Sequence, residues 1–361
     1  MGPATQIHTT TEAVALHGGG QLPGLSLAWE CWGTLNADKS NAVLVFTGLS
    51  ASAHAAASDS DPTPGWWEAI IGPGLAIDTN TYFVICINAV GSCLGSTGPA
   101  SINPATDQPW RLDFPTIAME DTANAAHRLV GDLGIGCLAA VIGPSMGGMI
   151  ALAYLKAHPH STQRLGLIST TAASGPFALA LRALQREAIV TDPRFCDGQY
   201  QTEQGPDTGM RIARKLGMIT YRSADEWDER FGRARQTQFE PQAFRMRFEV
   251  EAYLETQAQR FVGQFDPCAY LYLSRAMDEF DASDEDDSLA AMFARTFQGQ
   301  ALVLGVSSDL LFPPDQQRTL AEAIKVGGGD VRFDVLQSNK GHDAFLVDSK
   351  MFQAPIRRWL Q

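Results

Sequence analysis

Apolar positions along the chain come in two patterns, short continuous runs and longer stretches at helical spacing, and the two alternate. Leu27–Trp32 alternates as a half-buried strand should, and Asn41–Phe46 (NAVLVF) is continuous, as in a parallel strand covered on both faces. Tyr82–Asn88, the Val/Ile-rich run within Cys137–Tyr154, Arg164–Ser169, Gln300–Val306 and Val331–Leu336 continue the strand series. Ile117–Leu133 and the stretch through Met149, Ala151, Leu152 and Leu155 have helical spacing, and a last helix ends near Leu360. Strand, helix, strand, helix predicts an α/β fold with a mostly parallel central sheet flanked by helices. From Phe177 to about Phe297 the pattern changes to charged, helical stretches without buried strands. Residues 1–176 and 300–361 are therefore expected to form the core, and 177–299 an inserted helical lid. The acidic run Asp278–Asp287 reads as a solvated loop.

Composition narrows the partners. A formal charge of −13 over 361 residues argues against nucleic acid and anionic membrane surfaces, both of which need a basic footprint. Six cysteines without CxxC spacing suit free thiols in a reducing, cytoplasmic compartment better than a disulfide framework or a zinc site, so no metal is expected. The N-terminus lacks the basic and apolar regions of a signal peptide, and Gln6 breaks the myristoylation pattern. Leu138–Leu155, the longest mostly apolar run, is interrupted by Gly, Pro and Ser, which suits a strand and a helix rather than a membrane span.

Candidate chemistry centres on Gly143-Pro144-Ser145-Met146-Gly147, a G-x-S-x-G pattern with a strand pattern before it and a helix pattern after. Such an elbow exposes the serine hydroxyl as a nucleophile, with Gly143, Gly147 and Gly148 letting the backbone fold sharply; the alternative is a Gly-rich turn whose serine caps a helix. A serine nucleophile needs a base, and the base an orienting acid, both downstream in the order of this fold. His342 follows the strand ending at Leu336, and Asp309 follows the strand ending at Val306. His158 and His160 sit at the end of the elbow helix and read as surface residues. The oxyanion hole is expected from the amide of Met146 and that of Leu49 or Ser50, after the early strand. His54 lies just beyond and reads as a loop histidine with no carboxylate neighbour, so no catalytic role is assigned to it.

These residues bring out a resemblance over nearly the whole chain to the homoserine/serine O-acyltransferase family of the α/β-hydrolase fold. It rests on Thr47-Gly-Leu-Ser50 with His54, Gly65-Trp-Trp-Glu68, Gly95-Ser-Thr-Gly-Pro99, Ser145-Met-Gly-Gly-Met149, Leu184-Gln-Arg-Glu187, Gly209 to Tyr221, Ser308-Asp309 and Gly341-His-Asp343. The resemblance implies ping-pong transfer of an acyl group from an acyl-CoA through Ser145 to an amino-acid hydroxyl, with no bound cofactor. It implies that Arg214 binds the amino-acid carboxylate and Asp343 its amino group, pairings that suit a guanidinium and a carboxylate. It also implies a homodimer docked through the lid.

Three departures from the homoserine acetyltransferases, Pro144, the loop TGLSASAHAA and Arg182, look closer to the serine O-succinyltransferases. In that branch the loop Ala51, Ser52, Ala53 and His54 is implicated in amino-acid choice. Arg182 or Arg186 is expected to face the acyl pocket and pair with the free carboxylate of a succinyl group. The expected activity is transfer of succinyl from succinyl-CoA to L-serine, in cysteine biosynthesis. The alternatives are L-homoserine or L-serine O-acetyltransfer from acetyl-CoA and, more distantly, an esterase-type hydrolase.

Overall fold

The computed structural model describes residues 1–201, 204–237 and 244–361; residues 202–203 and 238–243 of the expected lid lie outside the described residues. One eight-stranded sheet organises the chain. Its strands are β1 (Gln6–Thr10), β2 (Leu25–Trp32), β3 (Ala42–Phe46), β4 (Phe83–Ile87), β5 (Ala140–Pro144), β6 (Arg164–Ile168), β7 (Gln300–Val306) and β8 (Asp330–Leu336), in the spatial order β1-β2-β4-β3-β5-β6-β7-β8. The first two strands pair antiparallel, β2 with β1 and with β4, and every later pairing is parallel. The mostly parallel α/β fold expected from the pattern is what forms. β1 escaped that pattern because QIHTT is a mostly exposed, polar edge strand.

Period-two geometry explains why the middle strands carry unbroken apolar runs. Along β3, Ala42, Leu44 and Phe46 join the core on one face while Val43 and Val45 join the core on the other. On the first face lie α1 (Met119–Asp132), α2 (Met146–Ala157) and α9 (Pro314–Val326); on the second, Phe352, Ile356 and Trp359 of α11 (Lys350–Leu360) pack. Five helices follow β6 and pack on one another: α3 (Pro176–Val190), α4 (Asp207–Thr220), α5 (Ala224–Phe231), α6 (Glu249–Phe261) and α7 (Pro267–Glu279). The next helix, α8 (Leu289–Thr296), packs on α9 and α2 instead. The short α10 (Ala344–Val347) follows β8.

The acidic run is a solvated loop only in part: Asp284, Glu285 and Asp287 are exposed, but Asp278 and Asp286 are not. Asp278 lies in α7 with its side chain only 10% exposed, between two arginines of α3, and Asp286 pairs with Arg295. All six cysteines are free, with Cys86 and Cys268 buried, Cys196 exposed and the others between.

Candidate active site

The elbow bends at the serine itself. Ser145 has φ 55° and ψ −125°, a backbone state that costs a non-glycine residue roughly 1–3 kcal/mol and needs its surroundings to hold it. Its amide donates to the Ile168 carbonyl at 2.9 Å, and its carbonyl accepts from Thr170 Oγ1 at 2.7 Å and the Gly148 amide at 2.9 Å. The neighbouring glycines, from which the sharp turn was expected, are outside the left-handed region and serve close approach instead. A Cβ on Gly143 would lie 2.1 Å from the Gly147 backbone, one on Gly147 2.3 Å from the Phe46 carbonyl, and one on Gly148 2.4 Å from Thr170 Cγ2. Without side chains at these points β3, β5 and α2 can converge under Ser145.

Asp309 and His342 reach that serine from the loops after β7 and β8. Asp309 Oδ1 accepts the amides of Leu311 and Phe312, both at 2.9 Å, which leaves Oδ2 for His342 Nδ1, also at 2.9 Å. On its far side His342 Nε2 stands 2.8 Å from Ser145 Oγ, and all three residues are buried. His342 occupies a tight turn that Gly341 permits: φ there is +63°, and a Cβ would lie 2.5 Å from the Tyr221 carbonyl. Phe312, Phe345 and Tyr221 surround the imidazole at centroid distances of 5.3, 5.6 and 5.8 Å. Burial pulls the imidazolium down, but the charge of Asp309 and its hydrogen bond outweigh that, and His342 titrates above its ordinary value.

Ser145 and His342 border a cavity of about 140 Å³. That is small beside the roughly 300–1,000 Å³ of sites for drug-sized ligands, and it suits the short reacting end of a substrate. Gly48, Leu49, Ser50 and Ala51 form part of its wall, so both residues expected to carry the early-loop amide border it. Met146 opens α2, where an amide has no intrahelical acceptor.

The expected binding residues divide. Arg214 lines the cavity with its guanidinium 4.6 Å from the Phe261 ring centroid, and its buried Nε has no hydrogen-bond partner. Asp343 lines it too and accepts from Arg222 Nε at 3.1 Å. Burial pushes the Asp343 carboxyl above its ordinary value, against the pull of Arg222, His342 and Arg214. Arg182 reaches the cavity wall, with Nε on Asp278 Oδ1 and a terminal nitrogen on Ser174 Oγ, each at 2.5 Å. Arg186, one turn later, does not border this cavity: it bonds Asp278 at 2.6 Å and Ser274 Oγ at 2.8 Å and lines a separate groove outside α3 and α7.

Of the Ala51–His54 stretch, Ala51 borders the cavity. The Ser52 carbonyl accepts from Trp66 Nε1 at 3.0 Å, Ala53 is buried, and His54 faces away. The reading of His54 as lacking a carboxylate neighbour was wrong: Glu30 lies 2.8 Å from its Nδ1 and Asp61 3.9 Å away. Glu30 comes from β2, which local sequence could not bring to His54. His158 is half-buried rather than on the surface, stacked on His127 at 3.7 Å between ring centroids, and burial pulls it down to about 4.

Sequence reasoning missed Arg222, Asp278 and the cavity-lining Phe261 and Tyr270. For Asp278 a signal existed, since Tyr270, Met277 and Asp278 share one face at i, i+7 and i+8. For Arg222 the i, i+4 pair with Glu226 at 2.8 Å was within reach of local sequence, but its contact with Asp343, 121 residues away, was not. Among the described residues no cluster of three or more His, Cys, Asp or Glu could hold a metal ion, and no helix is long and apolar enough to cross a membrane.

A family model described as alpha/beta hydrolase fold matches residues 41–349. The chain is 52% identical to a serine O-succinyltransferase of Stenotrophomonas maltophilia, over 99% of this chain and 98% of that one. It is 48% identical to an L-serine/homoserine O-acetyltransferase of Streptomyces lavendulae, over 99% and 97%. The crystal structure of a homoserine O-acetyltransferase from Bacillus anthracis superposes with a TM-score of 0.91 at 27% identity, covering 99% of this chain and 98% of that one.

Proposed function

We infer the activity from one premise: the chain belongs to the α/β hydrolase fold family and, within it, to the serine and homoserine O-acyltransferases. We propose that it transfers succinyl from succinyl-CoA to the hydroxyl of L-serine. The observation that carries the reading is the wall of the Ser145 cavity. Arg214, with an unpartnered buried Nε, and Asp343 border the same small space as the nucleophile. A guanidinium and a carboxylate there suit the two charged ends of an amino acid, whose side-chain hydroxyl can then meet Ser145.

In this mechanism His342 Nε2 takes the Ser145 proton as Oγ attacks the thioester carbonyl. The amides of Met146 and of Leu49 or Ser50 receive the oxyanion. The thioester C–S bond breaks, and coenzyme A leaves with the proton that His342 returns. The acceptor hydroxyl, deprotonated by the same imidazole, attacks the acyl-serine carbonyl; the bond to Ser145 Oγ breaks, His342 returns the proton to Oγ, and the O-acyl amino acid leaves. The helices α3 to α7 act as the lid that keeps water from the intermediate.

Succinyl is supported by charge. Arg182, at the cavity wall, shares the single carboxylate of Asp278 with Arg186, so its positive charge is only partly balanced there. A free carboxylate on the acyl group would balance it. One observation favours acetyl instead: Asp278 and Ser174 already occupy donors of Arg182, and the acetyltransferase relative is nearly as similar as the succinyltransferase. The deciding experiment is kcat/KM for L-serine and L-homoserine against succinyl-CoA and acetyl-CoA, with Ser145→Ala as control. Highest efficiency for succinyl-CoA with L-serine supports the first reading; equal or better turnover with acetyl-CoA transfers the assignment to the second. Retained turnover in Ser145→Ala removes the acyl-enzyme altogether. Acyl-CoA and amino-acid substrates agree with a cytoplasmic enzyme. Exposed Phe177, Leu184 and Val190 on α3 and Ile212 and Ile219 on α4 support a homodimer joined through these helices.

A further inference from the structure

The loop that carries Leu49 and Ser50 is tied down behind the cavity by a charged residue the mechanism does not use. His54 Nδ1 faces Glu30 Oε2 at 2.8 Å, and its Nε2 faces the Thr63 carbonyl at 2.8 Å. Both partners are acceptors. A neutral imidazole has one N–H, so satisfying both requires the imidazolium. The one nearby hydroxyl that could donate to Nε2 instead, Thr63 Oγ1 at 3.3 Å, directs its proton to Asp61 Oδ1 at 2.6 Å.

The charge around His54 agrees. Glu30 from β2 and Asp61 from the same loop are the charged groups facing it, and Glu30 is also bonded by Thr5 Oγ1 at 2.7 Å. The Glu30 side chain is 1% exposed, and a carboxylate so buried needs a cation beside it. Burial pulls His54 down, but its hydrogen bonds to Glu30 and to the Thr63 carbonyl and the charges of Glu30 and Asp61 outweigh it, so His54 titrates above its ordinary value.

We propose that His54, clamped as an imidazolium between Glu30 and the Thr63 carbonyl, is a positioning residue for the oxyanion loop Gly48–Ala51. Its anchorage is short. The His54 amide donates to Ser52 Oγ at 3.3 Å, Trp66 Nε1 holds the Ser52 carbonyl at 3.0 Å, and Asn88 Nδ2 holds the Ala51 carbonyl at 3.0 Å. Between Ala51 and the amide of Leu49 the loop has one weak backbone bond, Ala51 to Gly48 at 3.4 Å. The clamp therefore sets where the second oxyanion donor stands. Deprotonation of His54 removes one of its two bonds and the charge opposite Glu30, so the loop loosens as pH rises through the His54 pKa.

The inference rests on acylation of Ser145, so the assay is the burst of coenzyme A released on mixing enzyme with succinyl-CoA, without amino acid, as a function of pH. The wild-type burst rate rises with pH as His342 loses its proton and falls again at alkaline pH as His54 does. In His54→Gln the burst slows by roughly ten- to a hundredfold, the scale of a 1 Å misplacement, and the alkaline limb disappears while the acid limb stays. Glu30→Gln keeps a hydrogen bond and drops the charge; its alkaline limb moves to lower pH, and it decides the matter if His54→Gln does not fold. A wild-type profile without an alkaline limb, or a limb unchanged in folded variants, overturns the clamp while leaving the acyl-enzyme intact. An absent wild-type burst removes the acyl-enzyme reading and the clamp together.

Discussion

Asp309 gives His342 only one of its carboxylate oxygens, because the other is held by the amides of Leu311 and Phe312. The acid is thus oriented before the base arrives. Asp309→Asn keeps the size but places an NH₂ in one of the two positions, either against two amide donors or against His342 Nδ1, where it forces the wrong tautomer. We expect kcat to fall by about 10⁴-fold with little change in KM, measured by steady-state turnover with succinyl-CoA and L-serine.

The same pair sets a pH profile. His342 must be neutral to accept the Ser145 proton, and Asp309 holds its pKa above the ordinary 6.5 despite burial. Activity should therefore be low at pH 6 and climb as pH rises through a midpoint above 6.5. The stability contribution runs the opposite way: it is fully present below the unfolded pKa and is lost as pH rises through the folded one. A midpoint at or below 6.5 in the acid limb of kcat/KM would contradict the assigned direction.

Arg214 should act in the second half of the reaction only. With Arg214→Ala, KM for L-serine should rise by roughly ten- to a hundredfold, the worth of about 1.5–3 kcal/mol for a charged hydrogen bond. Coenzyme A release without amino acid should be unchanged. Arg214→Lys should recover little, since an ammonium lacks the planar fork and its stacking on Phe261. Equal losses in both half-reactions would mean that Arg214 holds the cavity together rather than the acceptor.

For the donor, Arg182→Ala should lower kcat/KM with succinyl-CoA by roughly ten- to a hundredfold and leave acetyl-CoA little affected. Arg186→Ala, whose guanidinium lies outside the cavity, should change the ratio of the two donors far less. A ratio unmoved by Arg182→Ala defeats the carboxylate pairing.

Gly147→Ala should destabilise by about 1–3 kcal/mol or more, because its Cβ would lie 2.3 Å from the Phe46 carbonyl and backbone must move to admit it. Urea unfolding would show a lower midpoint at constant slope. A variant as stable as the parent would mean that β3 and α2 separate freely.

The parallel middle strands could be read directly, because a strand buried on both faces leaves an uninterrupted apolar run, as Asn41–Phe46 does. Ser145 and Asp309 could be placed for a related reason, since each follows such a strand, whereas His342 follows β8, an edge strand whose run is broken by Arg332 and Asp334. β1 could not, since a polar edge strand looks like a loop. Asp278 and Glu30 illustrate a second limit. Each carboxylate is surrounded by groups from other parts of the chain, Arg182 lying 96 residues from Asp278 and His54 24 residues from Glu30. Sequence periodicity reports which face is apolar. It does not report which charge that face meets.

The spacing of the triad along the chain has a consequence for the protein as it is made. Ser145 emerges from the ribosome 197 residues before His342, the base it needs. In the mechanism proposed above, the serine has no partner to take its proton until the loop after β8 docks. Closure comes late. The terminal helix is tied in by Tyr82 donating to the Leu360 carbonyl at 2.7 Å and by Trp359 Nε1 donating to the Gln300 carbonyl at 3.2 Å. Pairing of Ser145 with His342 thus waits on chain made 197 residues later.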